Sequence, residues 1–356
     1  MQSKNLDLIE EEVYKCSKCG LCQSVCPVYL ALKNEMYLPR GRYVVLNNFF
    51  NNKKKLSRKF IKDMDICLNC NACKNFCPSN IDTAEIFTNI KYHFKYKYGV
   101  IPFSYIYFWT LFKHRIKRKL FLNDEFYKCR VRRKIKSVMR EDEEKVVYFQ
   151  GCINKYINET DKNAALNLIE QMGYNVCFIT KNCCGLPFLS DADFDKFNKN
   201  AEKIKKVIPS CAKYIVCSCD SCYETLKLAF KDDEISKKLI TLDKLLELNY
   251  VDVPVHENTI LFKPLCRKDN LSLLKNMPKI NKKGSCSLME NFFIMKYPKL
   301  ANQLIKEVFY KKEETDNKTI ITSCLLSLTG LKKALNITKS NAKVCSYAEY
   351  ISCLQE

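Results

Sequence analysis

The chain has 356 residues, enough for two or three domains, and at 47% hydrophobic it can bury sizeable cores. Sixty basic residues against 39 acidic give a formal charge of +21, but fifty of the sixty are lysine, scattered along the whole chain with no nucleic-acid motif beside them. That is compositional bias, so nucleic acid is not the expected partner.

Two absences narrow the chemistry further. Among eight glycines there is no G-x-G, which removes both a dinucleotide fingerprint and a P-loop. The three histidines, His93, His114 and His256, lie far apart and argue against a histidine-based metal or nucleophile site. Hydride chemistry needs a nicotinamide or flavin, and where that chemistry is needed a partner must bring one. The stretch Met1 to Glu12 is polar and acidic, unlike a secretory signal. Twenty-two cysteines without export predict metal ligation in a reducing cytoplasm rather than disulfides. No apolar run reaches the ~18 residues of a membrane-spanning helix.

Taken in order, the chain opens on a doubled motif. Cys16, Cys19, Cys22 and Cys26-Pro27 repeat as Cys67, Cys70, Cys73 and Cys77-Pro78. Each run is C-x2-C-x2-C-x3-C-P, the spacing of ferredoxins that carry two 4Fe–4S clusters. Three thiolates two residues apart wrap one cube on a tight loop, and the fourth reaches only the other cube. Cys16, Cys19, Cys22 and Cys77 are thus expected on the first cluster, and Cys67, Cys70, Cys73 and Cys26 on the second. Zinc is the competing reading, but it wants two separated pairs rather than four in a row ending in proline. Two thiolate-bound cubanes at about −2 each lower the net charge to roughly +17.

A forty-residue insert, Pro27 to Ile66, separates the runs, with helical patterns at Tyr43 to Phe50 and Leu56 to Met64. It contains Leu38-Pro39-Arg40-Gly41-Arg42, whose arginines either hydrogen-bond cluster sulfur or face solvent. Ile81 to Tyr98 reads as a helix with Ile86, Ile90 and Phe94 on one face. Residues 1–98 therefore predict a mainly α two-cluster ferredoxin-like domain.

Residues 99–144 are different. Val100 to Phe112 is aromatic and apolar and includes Trp109, and six of the ten arginines lie between Arg115 and Arg140. The plain reading is a packed linker helix. The sharper one is an interfacial helix on an anionic membrane surface.

From Lys145 the pattern alternates strand and helix, which predicts an α/β cysteine-rich tandem repeat domain with parallel strands. Strands are expected at Lys145 to Phe149, Tyr174 to Ile179 and Tyr214 to Val216, with helices at Asn158 to Met172 and Asp191 to Ile208. Cys152, the Cys183-Cys184-Gly185 run and the pair Cys219 and Cys222 each follow a strand's carboxyl end, where open α/β sheets bind ligands. The unit repeats over 251–356 as it does over 145–250. Strands Ile260 to Phe262 and Thr319 to Thr322 lead to Cys266 and Cys324. Cys286 stands with Ser285 where Cys183 and Cys184 stood, and Ser327 replaces Cys222. Buried structural thiols are the expectation for Cys129, Cys177, Cys211, Cys217, Cys345 and Cys353.

These motifs together resemble the iron–sulfur subunit of glycolate oxidase, the anaerobic glycerol-3-phosphate dehydrogenase subunit and the D-type subunit of heterodisulfide reductase. The resemblance spans nearly the whole chain. It implies that Cys152, Cys183, Cys184, Cys219 and Cys222 bind a third, non-cubane 4Fe–4S cluster or contact a partner. It also implies an electron-transfer subunit that takes electrons from an FAD-containing dehydrogenase and passes them to a quinone or other acceptor. A reductase that cleaves a disulfide at the first repeat is the alternative.

Serine is a hard, weakly acidic donor that seldom replaces thiolate, so only the first repeat is expected to load. Anaerobically reconstituted protein should then carry about twelve irons per chain and lose about four when Cys183 and Cys184 are changed to serine. An unchanged count after substitution, or about sixteen irons in the parent, overturns this expectation.

Overall fold

The computed structural model describes residues 4–52, 55–95, 145–156, 158–179, 183–263, 277–278, 293–306 and 315–354. The aromatic and basic stretch at 99–144 lies outside them, as do Cys129, Cys266 and Cys286.

Helices Leu6–Tyr14, Pro39–Asn52, Arg58–Asp63 and Thr83–Lys95 build the first unit. Their apolar faces share one core, with Ile9, Val13, Tyr43, Leu46, Phe60 and Ile61 meeting Ile86, Phe87, Ile90 and Phe94. The last helix starts at Thr83 rather than Ile81. The Asp82 carboxylate accepts the Glu85 N–H at 3.0 Å and so satisfies an orphan donor of the first turn. The second starts four residues before Tyr43, because Pro39 occupies the first helical turn, where its missing N–H removes no bond. Gly41 follows for a steric reason. A Cβ there would sit 2.1 Å from the Glu35 carbonyl oxygen, so the helix can approach the preceding turn only without a side chain.

Two parallel sheets follow. The first contains β1 (Lys145–Phe149), β2 (Asn175–Ile179), β3 (Tyr214–Cys217) and β4 (Leu239–Thr241), in the order β2-β1-β3-β4. The second contains β5 (Thr259–Leu261), β6 (Thr319–Thr322) and β7 (Lys343–Ser346), in that order. The run β5-β6-β7 repeats β1-β3-β4. Helix Asp220–Ala229 leaves β3 as helix Leu325–Thr338 leaves β6. The strands β4 and β7 go beyond what the sequence pattern predicts; each lies at a sheet edge and is too short to show a period. The helix expected from Asp191 to Ile208 is shorter, Phe194–Lys205, and a separate helix, Leu186–Ser190, precedes it. Ala192, at φ 57°, lies between the two, and Asp193 caps the later one by accepting the Lys196 N–H at 3.2 Å.

Besides the helical unit's own core, the units share an interior. One apolar cluster joins Val147, Phe149 and Ile215 to Ile260 and Ile320 of the second sheet, and reaches Val28, Ile66 and Leu68 of the helical unit. Each such side chain contributes about 1.5–3 kcal/mol on burial, so the junction is a structural core rather than a loose contact. A buried ion network crosses the same boundary. Lys91 Nζ lies 3.0 Å from Asp65 and donates to the Ser190 carbonyl at 2.9 Å, and Lys296 lies 3.3 Å from Asp191. Burial opposes ionisation of Asp65, but Lys91 and Lys296 together hold its carboxyl below the ordinary value.

A second polar group is buried between the sheets. The Asp161 carboxylate accepts from Asn154 Nδ2 at 2.7 Å and from Ser218 Oγ at 3.0 Å. Nearby, Ser346 and Glu349 form a capping box at helix Tyr347–Leu354, with Ser346 N–H donating to Glu349 at 2.8 Å and Glu349 N–H to Ser346 Oγ at 3.1 Å. Burial, then the Glu349 charge, push Asp161 up to about 7.

The sign of the pH effect follows. The unfolded carboxyl releases its proton near ~3.9, before the folded one does, so stability falls as pH rises toward 7. Asp161→Asn should flatten this decline, with the gain over the parent growing to a few kcal/mol at most by neutral pH. Urea unfolding at several pH values measures it; parallel pH profiles for the two proteins would refute the assignment.

Candidate metal centre

The C-x2-C spacing dictates the loop geometry. Lys18 and Gly20 in the first run, and Asn69 and Asn71 in the second, all take left-handed backbone conformations, at φ 60°, 85°, 53° and 55°. Such residues turn successive N–H groups inward as a nest for negative charge. The Asn69 N–H donates to Cys67 Sγ at 3.4 Å, the Lys18 N–H to Cys16 and the Ala72 N–H to Cys70. Asn71 is held by its own side chain, which donates to Asp82 at 3.1 Å and accepts the Ala84 N–H at 3.3 Å. The two runs are thus the same loop made twice.

These loops surround two cavities. Cys16, Cys19, Cys22 and Cys77 line one, with about 420 Å³ of space free of atoms, the solvent at its mouth included. Cys26, Cys67 and Cys70 line the other, of about 420 Å³, and Cys73 faces both. Each cavity therefore takes its leading cysteines from one run and a trailing cysteine from the other. Cys19 is exposed, and the other seven are half-buried. Burial pushes the Cys26 thiol up to about 11 and the Cys73 thiol up to about 12. Those protons must leave when iron binds.

The two arginines of the insert part company. Arg40 pairs with Glu35 at the rim of the first cavity, and its backbone N–H donates to Cys22. Arg42 is buried at 1% exposure and donates to the Asp63 carbonyl at 2.8 Å and the Met36 carbonyl at 3.3 Å. Its guanidinium lies 5.2 Å from the Phe87 ring centre, and its charge pulls the Cys26 thiol downward. Neither sits free in solvent.

The donor set fits iron–sulfur clusters. It is sulfur alone, ringed by N–H donors that stabilise thiolate. Among the described residues no three His, Cys, Asp or Glu side chains converge as a single ion requires. The thiols stand around a space instead.

A third thiol group lies at the carboxyl ends of β1 and β3. Cys183 Sγ is 4.0 Å from Cys152 Sγ. Cys183 contacts Cys184, Cys184 contacts Cys222, and Cys222 contacts Cys219 through sulfur hydrogen bonds. The structure thus brings the five cysteines of the first repeat together. Gly185 makes the paired-cysteine turn at φ 101°, where a Cβ would also lie 3.0 Å from Phe197. Asn200 Nδ2 donates to the Cys183 carbonyl at 2.8 Å and fixes the loop.

Several placements differ from expectation. The repeat pattern groups Cys324 with Cys266 and Cys286, which lie outside the described residues; among the described thiols it hydrogen-bonds Cys219 of the first repeat. The cause is packing of helix Leu325–Thr338 against helix Asp220–Ala229, which no one-dimensional pattern reveals. Ser327 is fully buried, and its hydroxyl finds no partner among the described residues. Cys211 is exposed and Cys177 half-buried, whereas Cys217 and Cys345 are buried as expected. Cys353 is disulfide-bonded rather than a free thiol.

Comparison with known proteins follows the same division. Residues 12–81 match the 4Fe-4S dicluster domain family, and residues 146–227 match the cysteine-rich domain family. The chain carries a 4Fe-4S dicluster domain followed by a cysteine-rich domain. The D-type subunit of the dihydromethanophenazine:CoB–CoM heterodisulfide reductase from Methanosarcina mazei is 24% identical over 260 residues, 64% of this chain and 60% of that protein. The chain thus spans about 60% of the length of the reductase subunits it matches. The glycolate oxidase iron–sulfur subunit of Escherichia coli is 33% identical over 66 residues, 18% of this chain and 16% of that protein. The probable counterpart from Bacillus subtilis is 28% identical over 78 residues, 22% of this chain and 18% of that protein. No solved structure matches. Both the glycolate oxidase and the heterodisulfide reductase groups suggested by the motifs are among the relatives, and the dicluster domain holds two 4Fe–4S clusters.

The placement of Cys26 and Cys77 generates a test. Cys26→Ser should perturb the electron paramagnetic resonance signal of the cluster held by Cys67, Cys70 and Cys73, and disturb its neighbour less. A response confined to the Cys16–Cys22 cluster refutes crossed ligation.

Proposed function

We propose that this chain is an iron–sulfur electron-transfer subunit of a 2-hydroxy-acid oxidase or dehydrogenase. Cys16, Cys19, Cys22 and Cys77 hold one cubane, and Cys26, Cys67, Cys70 and Cys73 hold the other. An FAD-containing subunit oxidises glycolate or lactate, and a quinone or other acceptor takes the electrons. The aromatic and basic stretch between Phe103 and Arg140, argued from sequence alone, holds the cytoplasmic protein against anionic lipid.

One observation carries the reading: the second cavity and the first repeat's thiols share one apolar core. The first cavity is bordered by exposed Cys19. Cys26 and Cys70 of the second pack on the same apolar core that contains Cys184, Cys219 and Cys222. When bound, the cubanes supply one-electron carriers that change charge without breaking ligand bonds. The chain's own groups set the conditions. The N–H groups of Lys18, Asn69 and Ala72 stabilise negative charge on sulfur, and Arg42 favours the thiolate of Cys26. Cys26 and Cys70 pack against the apolar core, which lowers the polarity on that side of the second cavity. Glycines without a G-x-G supply no dinucleotide cradle, which leaves substrate oxidation to the partner.

A second reading has its own support. The similarity to the heterodisulfide reductase subunits runs over 260 residues, against 66 and 78 for the glycolate oxidase subunits. On that reading the first repeat's thiols hold a catalytic cluster that cleaves a disulfide.

Freeze-quench electron paramagnetic resonance separates the two. Glycolate or lactate should reduce the cubanes when the chain is purified with its flavoprotein, and leave the isolated chain unchanged. Substrate-driven reduction in the chain alone sinks the first reading. Disulfide reduction by the dithionite-reduced chain without a flavoprotein establishes the second.

A further inference from the structure

The ends of β3 and β6 meet at the junction of the two α/β units. Each passes through a cysteine that caps the next helix: Cys219 before Asp220–Ala229, and Cys324 before Leu325–Thr338. The two turns are locked together. The Asp220 N–H donates to the Ser323 carbonyl at 3.3 Å, and the Ser323 hydroxyl donates to the Asp220 carboxylate. This lock turns Cys324 toward the first repeat. Its sulfur lies 3.1 Å from Ser221 Oγ and hydrogen-bonds Cys219.

We infer that Cys324 is a sixth thiolate of the first repeat's site, so that an iron–sulfur cluster there is clamped between the two repeats. The inference rests on the reading that the first repeat's cysteines hold a cluster. Cys324 is at 0% exposure and continues the string of sulfurs from Cys152 to Cys219. Two helices of ten and fourteen residues begin at this point, and the positive ends of both dipoles favour a thiolate there. The turn after Cys324 offers no further sulfur: Leu325, Leu326 and buried Ser327 stand where Asp220, Ser221 and Cys222 stand in the first repeat. Ligation is a simple exchange. The Cys324 thiol releases its proton to solvent as the sulfur–iron bond forms, and no electron changes hands.

The test uses the full chain, reconstituted anaerobically with 57Fe, and reads Mössbauer and electron paramagnetic resonance spectra together with iron content. The parent should show two cubanes and a third cluster, about twelve irons in all. Cys324→Ala should shift the third cluster's spectrum or remove about four irons, while the cubane signals stay intact and report a folded protein. Cys345→Ala, at a buried thiol of the same repeat outside the string, should match the parent. A Cys324→Ala protein with the parent's third-cluster spectrum and iron content overturns the inference. A parent with only about eight irons overturns the reading beneath it, and the inference falls with it.

Discussion

The structure depends on placing acidic sulfur groups inside apolar surroundings. A thiol buried as a neutral group is a small hydrophobe, compatible with a core. A thiolate in the same place needs a cation or hydrogen-bond donors. The chain supplies donors through backbone geometry. Left-handed residues at Lys18, Asn69 and Asn71 make the turns that aim N–H groups at sulfur, and helix starts do the same at Cys219. The burial that raises Cys26 and Cys73 makes the metal-free protein hold neutral thiols, so assembly is coupled to proton release.

Much of this was legible in the sequence, for identifiable reasons. The doubled cysteine run has a spacing that few chemistries share, and the helix carrying Ile86, Ile90 and Phe94 has a clean period. Strands β1 and β6 begin and end where their apolar runs do. What escaped was three-dimensional or too short. The edge strands β4 and β7 have three and four residues and no motif. The start at Phe194 rather than Asp191 depends on a capping contact from Asp193, invisible in a continuous helical pattern. The repeat pattern places Cys324 by analogy, whereas contact between two helix starts decides its neighbours. Arg42 sits in a motif that says nothing of burial, yet its two bonds to backbone carbonyls decide its role.

The continuous core gives the molecule its functional logic. Val28 and Leu68 flank cysteines of the second cavity and belong to the same apolar core as Cys184 and Cys222. The same residues thus build the scaffold and set the spacing between sulfur groups. The buried network of Lys91, Asp65, Lys296 and Asp191 crosses that boundary with little freedom to slide, since an ion left unpaired there costs about 3–5 kcal/mol. The proposed electron transfer asks for fixed distances, which a packed, ion-pinned junction would provide.

The exposure of Cys19 has a consequence for the protein's vulnerability. A rim open enough for a redox partner is also open to dioxygen and chelators. Damage would therefore begin at the first cavity and strip it of iron before the inner sulfur sites, which the core shelters. Because Cys22 and Cys26 sit on one short turn, decay at the outer site also loosens the backbone that carries a wall of the next. Air exposure would then inactivate this chain from the rim inward, in an order set by burial alone.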